Sequence, residues 1–531
     1  MLWIALYLPE LPLQLALRAQ PVSKSERVTE SEIQQPASPQ PLVVSTGPDN
    51  RPVVQSANDA AQAVGIDVGI SIASARALTL KDQTLRIVAR HVGYEQEAVS
   101  NLAGWAGQFT PSVSVKNAEG LLLEVSTTLR LHQGLAMLLG KIRRGIKELG
   151  YRAVMGVAPT PLAAWLFAKA RYQGLEVRVC QNESELASRV ANLPMVLLDW
   201  PDAIISTLSS LGIKRIADCL ALPPDGFTKR FGREQWFDLQ RLLGRLPDPR
   251  QYYVPPDTYQ ARAEFGFENN DAMALLIPLT RLLSEMEGFL RGRGAGVLDY
   301  AVTLHHAHRS KTHILIRIAK VERQTDRLAA LAREHLMNLA LSDTVTALSI
   351  QVERLQPYQE ASESWLPDPR QQPDSWFRLL DKLTARLGAD NVVQLQAVED
   401  HRPEQSWTAR AANISANAAL RKHTTAAAKK AVGEASIKSQ PLTPLTPRPL
   451  FLLNTPRKLL LEQGQPRCHG AIHLISGPER IESGWWDGRP AARDYFVGRN
   501  PHGETMWLFV NHASNRDNGT QLDWYLHGYF A

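Results

Sequence analysis

The sequence has few cysteines and no long apolar run, and these two absences exclude several classes of protein. Only three of its 531 residues are cysteine: Cys180, Cys219 and Cys468. An odd and widely spaced set argues against a disulfide framework and against a zinc site, so a reducing cytoplasm is the expected compartment. No run approaches the roughly 20 apolar residues that span a bilayer. We therefore expect a soluble, cytoplasmic protein that contacts no membrane.

The apolar segment at residues 1–17 resembles a signal peptide only in its hydrophobicity. It lacks a basic leading region, and Pro9, Glu10 and Pro12 interrupt it. We expect a buried strand and a turn here rather than a cleaved leader. The sequence also lacks a P-loop, a dinucleotide fingerprint and a nucleophile–His–acid set. No cofactor is therefore expected.

The positive charge of the chain is concentrated in one segment. The chain has 59 basic and 53 acidic side chains, a net charge of +6. Residues 408–440 contain six basic and one acidic side chain, and residues 441–531 contain nine and eight, so residues 1–407 balance at 44 of each sign. The Ala, Lys, Ser, Thr and Pro composition of residues 408–447 predicts a flexible basic linker. This linker either scans phosphates or merely separates two modules, and both hypotheses remain open.

Apolar periodicity predicts four kinds of region along the chain. Strands alternate with helices up to about residue 170, and short helices separated by glycine turns follow over residues 196–250. Strands with a period of two occur with a helix around residues 300–352, and the last 65 residues hold ten of the 37 aromatics. The pattern therefore predicts α/β and α+β domains followed by a small β domain.

Three stretches resemble the Y-family of translesion DNA polymerases. They are ANDAAQAVGIDVGISIASARAL (57–78), similar to the fingers-to-palm passage, the stretch from GLLLEVSTTLR to AKA (120–170), similar to the palm strand, helix and strand, and LSSLGIKRIADCLALP (208–223), similar to the helix-hairpin-helix of the thumb. The match is specific because many weak motifs occur in the right order.

The resemblance extends nearly end to end in the ImuB-type subgroup, the polymerase-like subunits of bacterial inducible mutagenesis cassettes. It includes LWIALYLPELPLQLALRA (2–19), GPERIESGWWDG (477–488) and WYLHGYF (524–530). The resemblance implies a right-hand fold of palm, fingers, thumb and little finger plus a small C-terminal β domain. The implied domains are a palm at 1–165 with fingers inserted at about 20–75, a thumb at 166–255, a little-finger-like domain at 260–357, a clamp- or partner-binding extension at 358–407, the linker at 408–447 and the β domain at 448–531.

The metal-binding positions that the resemblance implies have lost most of their acids. Y-family polymerases hold two Mg²⁺ ions with carboxylates at the ends of the palm strands. These positions correspond to about Ala5 and to Glu119 and Gly120, so one carboxylate of three remains. Alanine and glycine cannot ligate a hard cation. We therefore expect no metal site and no catalysis.

The positions that grip the triphosphate have changed as well. The resemblance places the tyrosine and arginine of the fingers helix at Asp59 and Gln62, and the palm lysine at Pro161. An aspartate repels a triphosphate where an arginine attracts it. No nucleotide site is expected.

An alternative keeps the enzyme active through a shifted set of acids, Glu10, Asp67, Glu119 and Glu124. Against it, Glu10 lies beyond Pro9, outside the strand, and Asp67 is more simply a solvated loop acid. Primer extension distinguishes the two hypotheses.

The thumb-like turn Gly212, Lys214 and Arg215 is a candidate DNA contact. A glycine hairpin between helices exposes backbone N–H groups to a phosphate, and the two basic side chains add charge. The alternative is an ordinary helix C-cap followed by surface cations.

The little-finger-like domain supplies the other candidate DNA contacts, Arg291, Arg293, Arg309, Lys311 and Arg317. Arg309, Lys311 and His313 share one parity, as do Arg317 and His305 across the predicted hairpin, which favours a basic sheet face. A solvated strand face is the alternative. The neighbouring cluster His305, His306 and His308 has no metal-ligand spacing, so we predict surface or DNA-adjacent histidines there.

The clamp-binding motif of the ImuB group has one candidate here, from Gln359 to Trp365 and Leu366. An extended peptide can place the glutamine in a polar subsite and the other two side chains in an apolar one. The alternative makes Trp365 a packing residue.

The aromatic residues of the C-terminal block either fill a β core or anchor a partner. They are Trp485, Trp486, Trp507, Trp524 and Tyr525.

The resemblance implies a non-catalytic adaptor in damage-induced translesion synthesis, part of the SOS response. Its implied partners are primer–template DNA, the sliding clamp, an error-prone replicative-type polymerase and a recombinase-like cassette partner. A DNA-independent assembly platform is a third hypothesis, which salt-dependent DNA binding separates from the first.

Overall fold

The computed structural model describes residues 1–18, 40–48, 50–79, 84–269, 271–341, 343–359, 374–411, 448–512 and 523–530. The chain forms two compact units, Met1–Arg386 and Leu387–Ala531. Within the described residues, no helix combines the length and the apolar character that crossing a membrane requires.

Strands and helices alternate over the first 172 residues, as the periodicity predicts. The elements are β1 (Trp3–Tyr7), α1 (Leu11–Arg18), β2 (Leu42–Thr46), β3 (Val53–Ala57), α2 (Asp59–Ala63), α3 (Ile72–Leu78), β4 (Arg86–Ala89), α4 (Val92–Ala106), β5 (Val113–Lys116), β6 (Gly120–Glu124), α5 (Leu135–Glu148), β7 (Val154–Ala158) and α6 (Pro161–Tyr172).

The palm-like sheet has the order β5-β6-β1-β7 and is antiparallel throughout. Alternate residues of β1 face opposite sides. Ile4 and Leu6 pack beneath α4 and α5, whereas Trp3 and Ala5 pack against α6 and the helices that follow it. A separate sheet, β3-β2-β4, carries α2 and α3 in the fingers-like position.

Five helices form the thumb-like region: α7 (Glu183–Ala191), α8 (Asp202–Ser210), α9 (Ile216–Leu220), α10 (Pro224–Phe231) and α11 (Arg233–Leu242). Their buried apolar residues are continuous with the α6 face of the palm-like sheet.

The little-finger-like domain contains β8 (Tyr259–Asn269), α12 (Leu276–Gly292), β9 (Ala295–His306), β10 (Thr312–Glu322), α13 (Thr325–Met337), β11 (Val345–Val352) and β12 (Gln356–Pro357). Its antiparallel sheet has the order β10-β9-β11-β8, with β12 beside β9. Helix α14 (Asp374–Leu387) packs on this domain, where Asp381 accepts a hydrogen bond from the N–H of Ala319 at 2.7 Å.

A buried ion pair joins the palm-like and little-finger-like domains. Arg18 at the end of α1 pairs with Glu285 of α12, and both side chains are almost fully buried. Tyr151 and Tyr259 complete the cluster through hydrogen bonds to the guanidinium and the carboxylate. Burial by itself would lower the pKa of Arg18, but the adjacent Glu285 carboxylate raises it by more, so the guanidinium stays charged.

The second unit consists of β strands: β13 (Val393–Ala397), β14 (Trp407–Ala411), β15 (Phe451–Lys458), β16 (Leu460–Glu462), β17 (Gln465–Arg467), β18 (His473–Ser483), β19 (Ala491–Arg499), β20 (Thr505–Asn511) and β21 (Trp524–Tyr529). Its main sheet is antiparallel, in the order β15-β21-β20-β19-β18. The hairpin β13–β14 belongs to this unit, so the segment predicted as one extension, 358–407, is divided between the two units. The predicted fold class, α/β and α+β domains with a C-terminal β domain, is confirmed.

Candidate functional site

In the palm-like sheet, the β1 residue that pairs with Gly120 is Tyr7 and not Ala5. Tyr7 lies opposite Gly120, and Ala5 lies opposite Leu122 in the fully buried middle of the strand. Residues two apart on a strand share a face but lie about 7 Å apart along it. The β1 residue opposite Gly120 is therefore Tyr7, two residues after the position inferred from the sequence.

The backbone at Gly120 excludes any side chain. Its φ is +156°, and a Cβ atom there would overlap the carbonyl oxygen of Leu6 and lie 3.2 Å from the ring of Trp165. L-residues rarely adopt this conformation. The local backbone, and not only the residue type, is thus incompatible with a carboxylate at this position.

Aromatic rings occupy the space around Tyr7. Its ring packs edge-on against Trp165, with centroids 5.1 Å apart, and against Tyr172, at 5.8 Å. Burial, and secondarily the Glu119 carboxylate, raise the pKa of Tyr7 to about 12. The phenol is therefore protonated at neutral pH, and Glu119 has a neutral neighbour instead of a second carboxylate.

Asp199 lies between two lysines beside this aromatic cluster. Its carboxylate bonds Lys169 Nζ at 2.8 Å and Lys116 Nζ at 3.2 Å. Burial by itself would raise the pKa of Asp199, but the two ammonium groups lower it overall. Asp199 and Lys116 border a cavity of about 220 Å³ between β5, α6 and the thumb-like helices. The charge of Asp199 is thus already neutralised within the protein.

The residues present do not fit a two-magnesium centre. Gly120 supplies no ligand, Tyr7 supplies a protonated phenol, and Asp199 is neutralised by lysines. In the part of the chain that the structure describes, no group of three or more His, Cys, Asp or Glu side chains is arranged to hold a metal ion.

The four acids of the alternative site are not brought together. Glu119 and Glu124 flank the two ends of β6, about 16 Å apart at strand spacing. Glu124 is buried and accepts a hydrogen bond from Ser126 N–H at 3.1 Å. Asp67 is exposed in a turn of the fingers-like region, and Glu10 accepts a hydrogen bond from the Tyr172 hydroxyl at 3.2 Å.

The three residues at the positions of the triphosphate site, Asp59, Gln62 and Pro161, are either exposed to solvent or part of the local helix structure. Asp59 begins α2 and is exposed. Gln62 is exposed and donates a hydrogen bond to the carbonyl of Ala57 at 3.2 Å. Pro161 is the buried first residue of α6, behind the N-cap Thr160. None of the three is a cation.

The thumb-like turn forms as predicted, but its backbone N–H groups bond acceptors within the protein instead of a phosphate. Gly212 has φ +78° between α8 and α9, and its N–H bonds the Ser209 carbonyl. The N–H groups of Lys214 and Arg215 bond the Asp218 carboxylate at 3.1 and 2.9 Å. The predicted amide contact is therefore unsupported, and only the exposed Lys214 and Arg215 side chains are available.

One of the predicted cations lies on the outer face of the little-finger-like sheet, and two more lie in the turn before β10. Arg317 and His313 are exposed on β10, opposite Asp299 and Thr303 of β9, and Lys311 is exposed in the preceding turn. Arg309 is exposed in the same turn.

Two more side chains belong to the description of this sheet, His305 of β9 and Arg262 of β8. His305 donates or accepts a hydrogen bond with Ser349 at 3.0 Å, so it has a structural partner. The sequence reasoning missed Arg262 of β8, which the strand order brings level with Ser349. It bonds Glu264 at 3.0 Å.

Arg291 and Arg293 have partners within the protein. Arg291 pairs with Glu287 one turn earlier on α12. Arg293 donates to the carbonyls of Pro255 and Pro256 at 2.7 and 2.9 Å and pairs with Asp257 at 2.5 Å. Arg293 therefore fastens the segment that enters β8, a tether that the sequence pattern does not reveal.

Of the clamp-motif candidates, Gln359 is exposed just after β12, and Trp365 and Leu366 lie outside the described residues. The C-terminal tryptophans divide between two roles. Trp507 is 2% exposed in the core, whereas Trp485 and Trp486 are 75% and 59% exposed in the turn after β18.

Comparisons with known proteins show which class of protein the chain resembles. Residues 30–169 match the impB/mucB/samB family. The chain is 26% identical to a DNA polymerase IV of Dehalococcoides mccartyi over 48% of its own length and 64% of that protein. Over these parts of its length the chain is similar to the impB/mucB/samB family and to Y-family DNA polymerases. A solved insertion ternary complex of Dbh DNA polymerase covers 67% of this chain and is itself covered to 99%, at 15% identity and a TM-score of 0.37.

Within this class the chain is ImuB-like. It is 25% identical to Protein ImuB of Caulobacter vibrioides over 458 residues, which covers 82% of this chain and 94% of that protein. The recognition made from the sequence is confirmed.

Proposed function

We propose that this protein is a non-catalytic, polymerase-like adaptor that acts in DNA damage-induced mutagenesis. The observation that carries the proposal is the Tyr7–Gly120 pair, which replaces two carboxylates by a protonated phenol and a glycine that admits no side chain. Phosphoryl transfer in this class needs two metal ions to neutralise the developing charge. Without their ligands, the palm serves as a scaffold.

The adaptor holds primer–template DNA through exposed cations of the thumb- and little-finger-like domains. Lys214 and Arg215 supply one contact, and Arg309, Lys311 and Arg317 supply the other. Contacts of this kind position the duplex without reading its sequence. Gln359, Trp365 and Leu366 dock the protein on the sliding clamp, and the complex recruits an error-prone replicative-type polymerase with its recombinase-like partner.

Primer extension by the full-length protein tests the non-catalytic assignment. With Mg²⁺ or Mn²⁺ and all four nucleotides, we expect no elongation of a primer–template. A Glu119→Gln variant serves as the matched control, since extension that disappears in it would establish an active enzyme and overturn the proposal.

Two binding measurements test the adaptor role. We expect Lys311→Gln/Arg317→Gln to weaken primer–template binding and to lower its salt dependence by about two contacts. We expect Trp365→Ala/Leu366→Ala to abolish capture on an immobilised clamp, with Trp376→Ala, an exposed tryptophan of α14, as the control. Unchanged DNA binding would favour the DNA-independent assembly platform, and unchanged capture would remove the clamp assignment.

A further inference from the structure

The strongest unassigned charge of the folded body lies on helix α5. The span 130–152 has six basic and one acidic side chain, although residues 1–407 as a whole are neutral. Four of the cations lie on α5: Lys141, Arg143, Arg144 and Lys147. Residues 130–152 therefore carry a net charge of +5, as large as that of residues 408–440 in the basic linker.

The fold holds these four side chains outward on a rigid support. Leu138, Ile142 and Ile146 form the buried side of α5 and are at most 4% exposed, against the Ile4–Leu6 face of the palm-like sheet. Gly145 lets the helix approach the ring of Trp105, where a Cβ atom would overlap the ring edge. Packing of this kind fixes both the position and the rotation of α5.

Among the residues that the structure describes, the four cations of α5 have no ion-pair partner. All four are exposed, and among the described residues none forms an ion pair, while Glu148 is the one acid of the helix. Arg189 of α7, by contrast, is partly exposed and pairs with Glu185 one turn earlier on its own helix. Met137 is the one large apolar side chain exposed on α5. The surface thus offers charge of one sign without the buried aromatic anchors that protein partners use.

From these observations we propose that the outer face of α5 is a second nucleic-acid surface, which binds the phosphate backbone without sequence preference. Unpaired Lys and Arg side chains on a helix are the groups that replace counterions on a polyanion. Helix α5 covers the sheet face opposite to that of Tyr7, so this surface is separate from the thumb- and little-finger-like contacts proposed above. The protein can thereby hold a second DNA segment beside its primer–template.

Fluorescence anisotropy with a 30-base-pair duplex of arbitrary sequence, between 50 and 200 mM NaCl, tests this surface in the full-length protein. We expect Lys141→Gln/Arg144→Gln/Lys147→Gln to reduce the slope of log K against log salt by about 2.7, or about 0.9 for each lost phosphate contact. Arg144→Gln alone should remove about a third of that change. These side chains are exposed and form no ion pair with the described residues, so the variants should fold normally.

Arg51→Gln/Arg76→Gln/Arg178→Gln is the matched control, since it removes three exposed and scattered cations. The proposal is overturned if the α5 variant and this control change the slope equally, or if the α5 variant loses binding only to poly-glutamate, which would indicate an acidic protein partner. The Lys311→Gln/Arg317→Gln variant, measured in parallel, reports on the primer–template contacts. The two proposals can therefore fail separately.

Discussion

Tyr7 and Gly120 lie opposite each other on neighbouring strands of the palm-like sheet, and the glycine has a backbone conformation that admits no Cβ atom. A carboxylate cannot be restored here by one substitution, because the Leu6 carbonyl occupies the space. The backbone conformation of Gly120, and not only its residue type, thus prevents a metal-binding carboxylate at this position.

Gly120→Ala should destabilise the first unit by roughly 3 kcal/mol or more, because the backbone must shift to accept the methyl group. Urea unfolding of the full chain measures this change. Gly140→Ala is the control, since a Cβ atom there meets nothing within 4 Å and the helix should gain up to about 1 kcal/mol. Equal stability of the two variants would contradict the steric explanation.

Glu285→Gln should lower the free energy of unfolding by about 3–5 kcal/mol, because it leaves the buried Arg18 charge without its partner. The partly exposed pair of Arg189 and Glu185 provides the comparison, and Glu185→Gln should cost much less stability than Glu285→Gln. A small loss in Glu285→Gln would show that the palm-like and little-finger-like domains are not held together by this pair.

The second unit should lose stability as the pH falls from about 6.5 to about 4. His527 is 1% exposed, and burial lowers its pKa to about 4. Between pH 6.5 and 4 the unfolded state therefore binds a proton at His527 and the folded state does not, which favours unfolding. The facing groups are Tyr495, Glu404 and Arg493, and of these the carboxylate opposes the shift.

Urea unfolding followed by hydrogen exchange in β19 and β20, measured at several pH values, tests this dependence. The full effect of His527 is roughly 3 kcal/mol at low pH. His527→Gln should flatten the profile between pH 6.5 and 4. An unchanged profile would assign the pH dependence to other groups.

Arg402→Lys should loosen the hairpin β13–β14. The guanidinium bonds Asp400 at 2.7 Å, Asp487 at 2.6 Å and the Arg489 carbonyl at 3.1 Å, and an ammonium group cannot keep all three contacts. Faster hydrogen exchange in residues 393–411, with β20 unchanged, is the expected result. Arg410→Lys, on the same hairpin, is the control and should leave exchange unaltered.

Local patterns in the sequence determined much of this protein. Apolar periodicity predicted the alternation of strands and helices, because burial of one face repeats at a fixed interval along the chain. The turn at Gly212 followed from glycine between two short helices. The order of many weak motifs identified the Y-family relationship, and the missing acids indicated a palm without its metal ligands.

The tertiary structure decided which residues meet. Strand register placed Tyr7, rather than Ala5, opposite Gly120, and a shift of two residues leaves the apolar pattern of a strand unchanged. Arg293 bonds the segment before β8, and Arg18 bonds Glu285. Composition cannot predict either pair, because the partners are far apart in the sequence. The charge on α5 became distinctive only when packing turned four cations outward, away from any ion-pair partner among the described residues, because charge counts carry no information about direction.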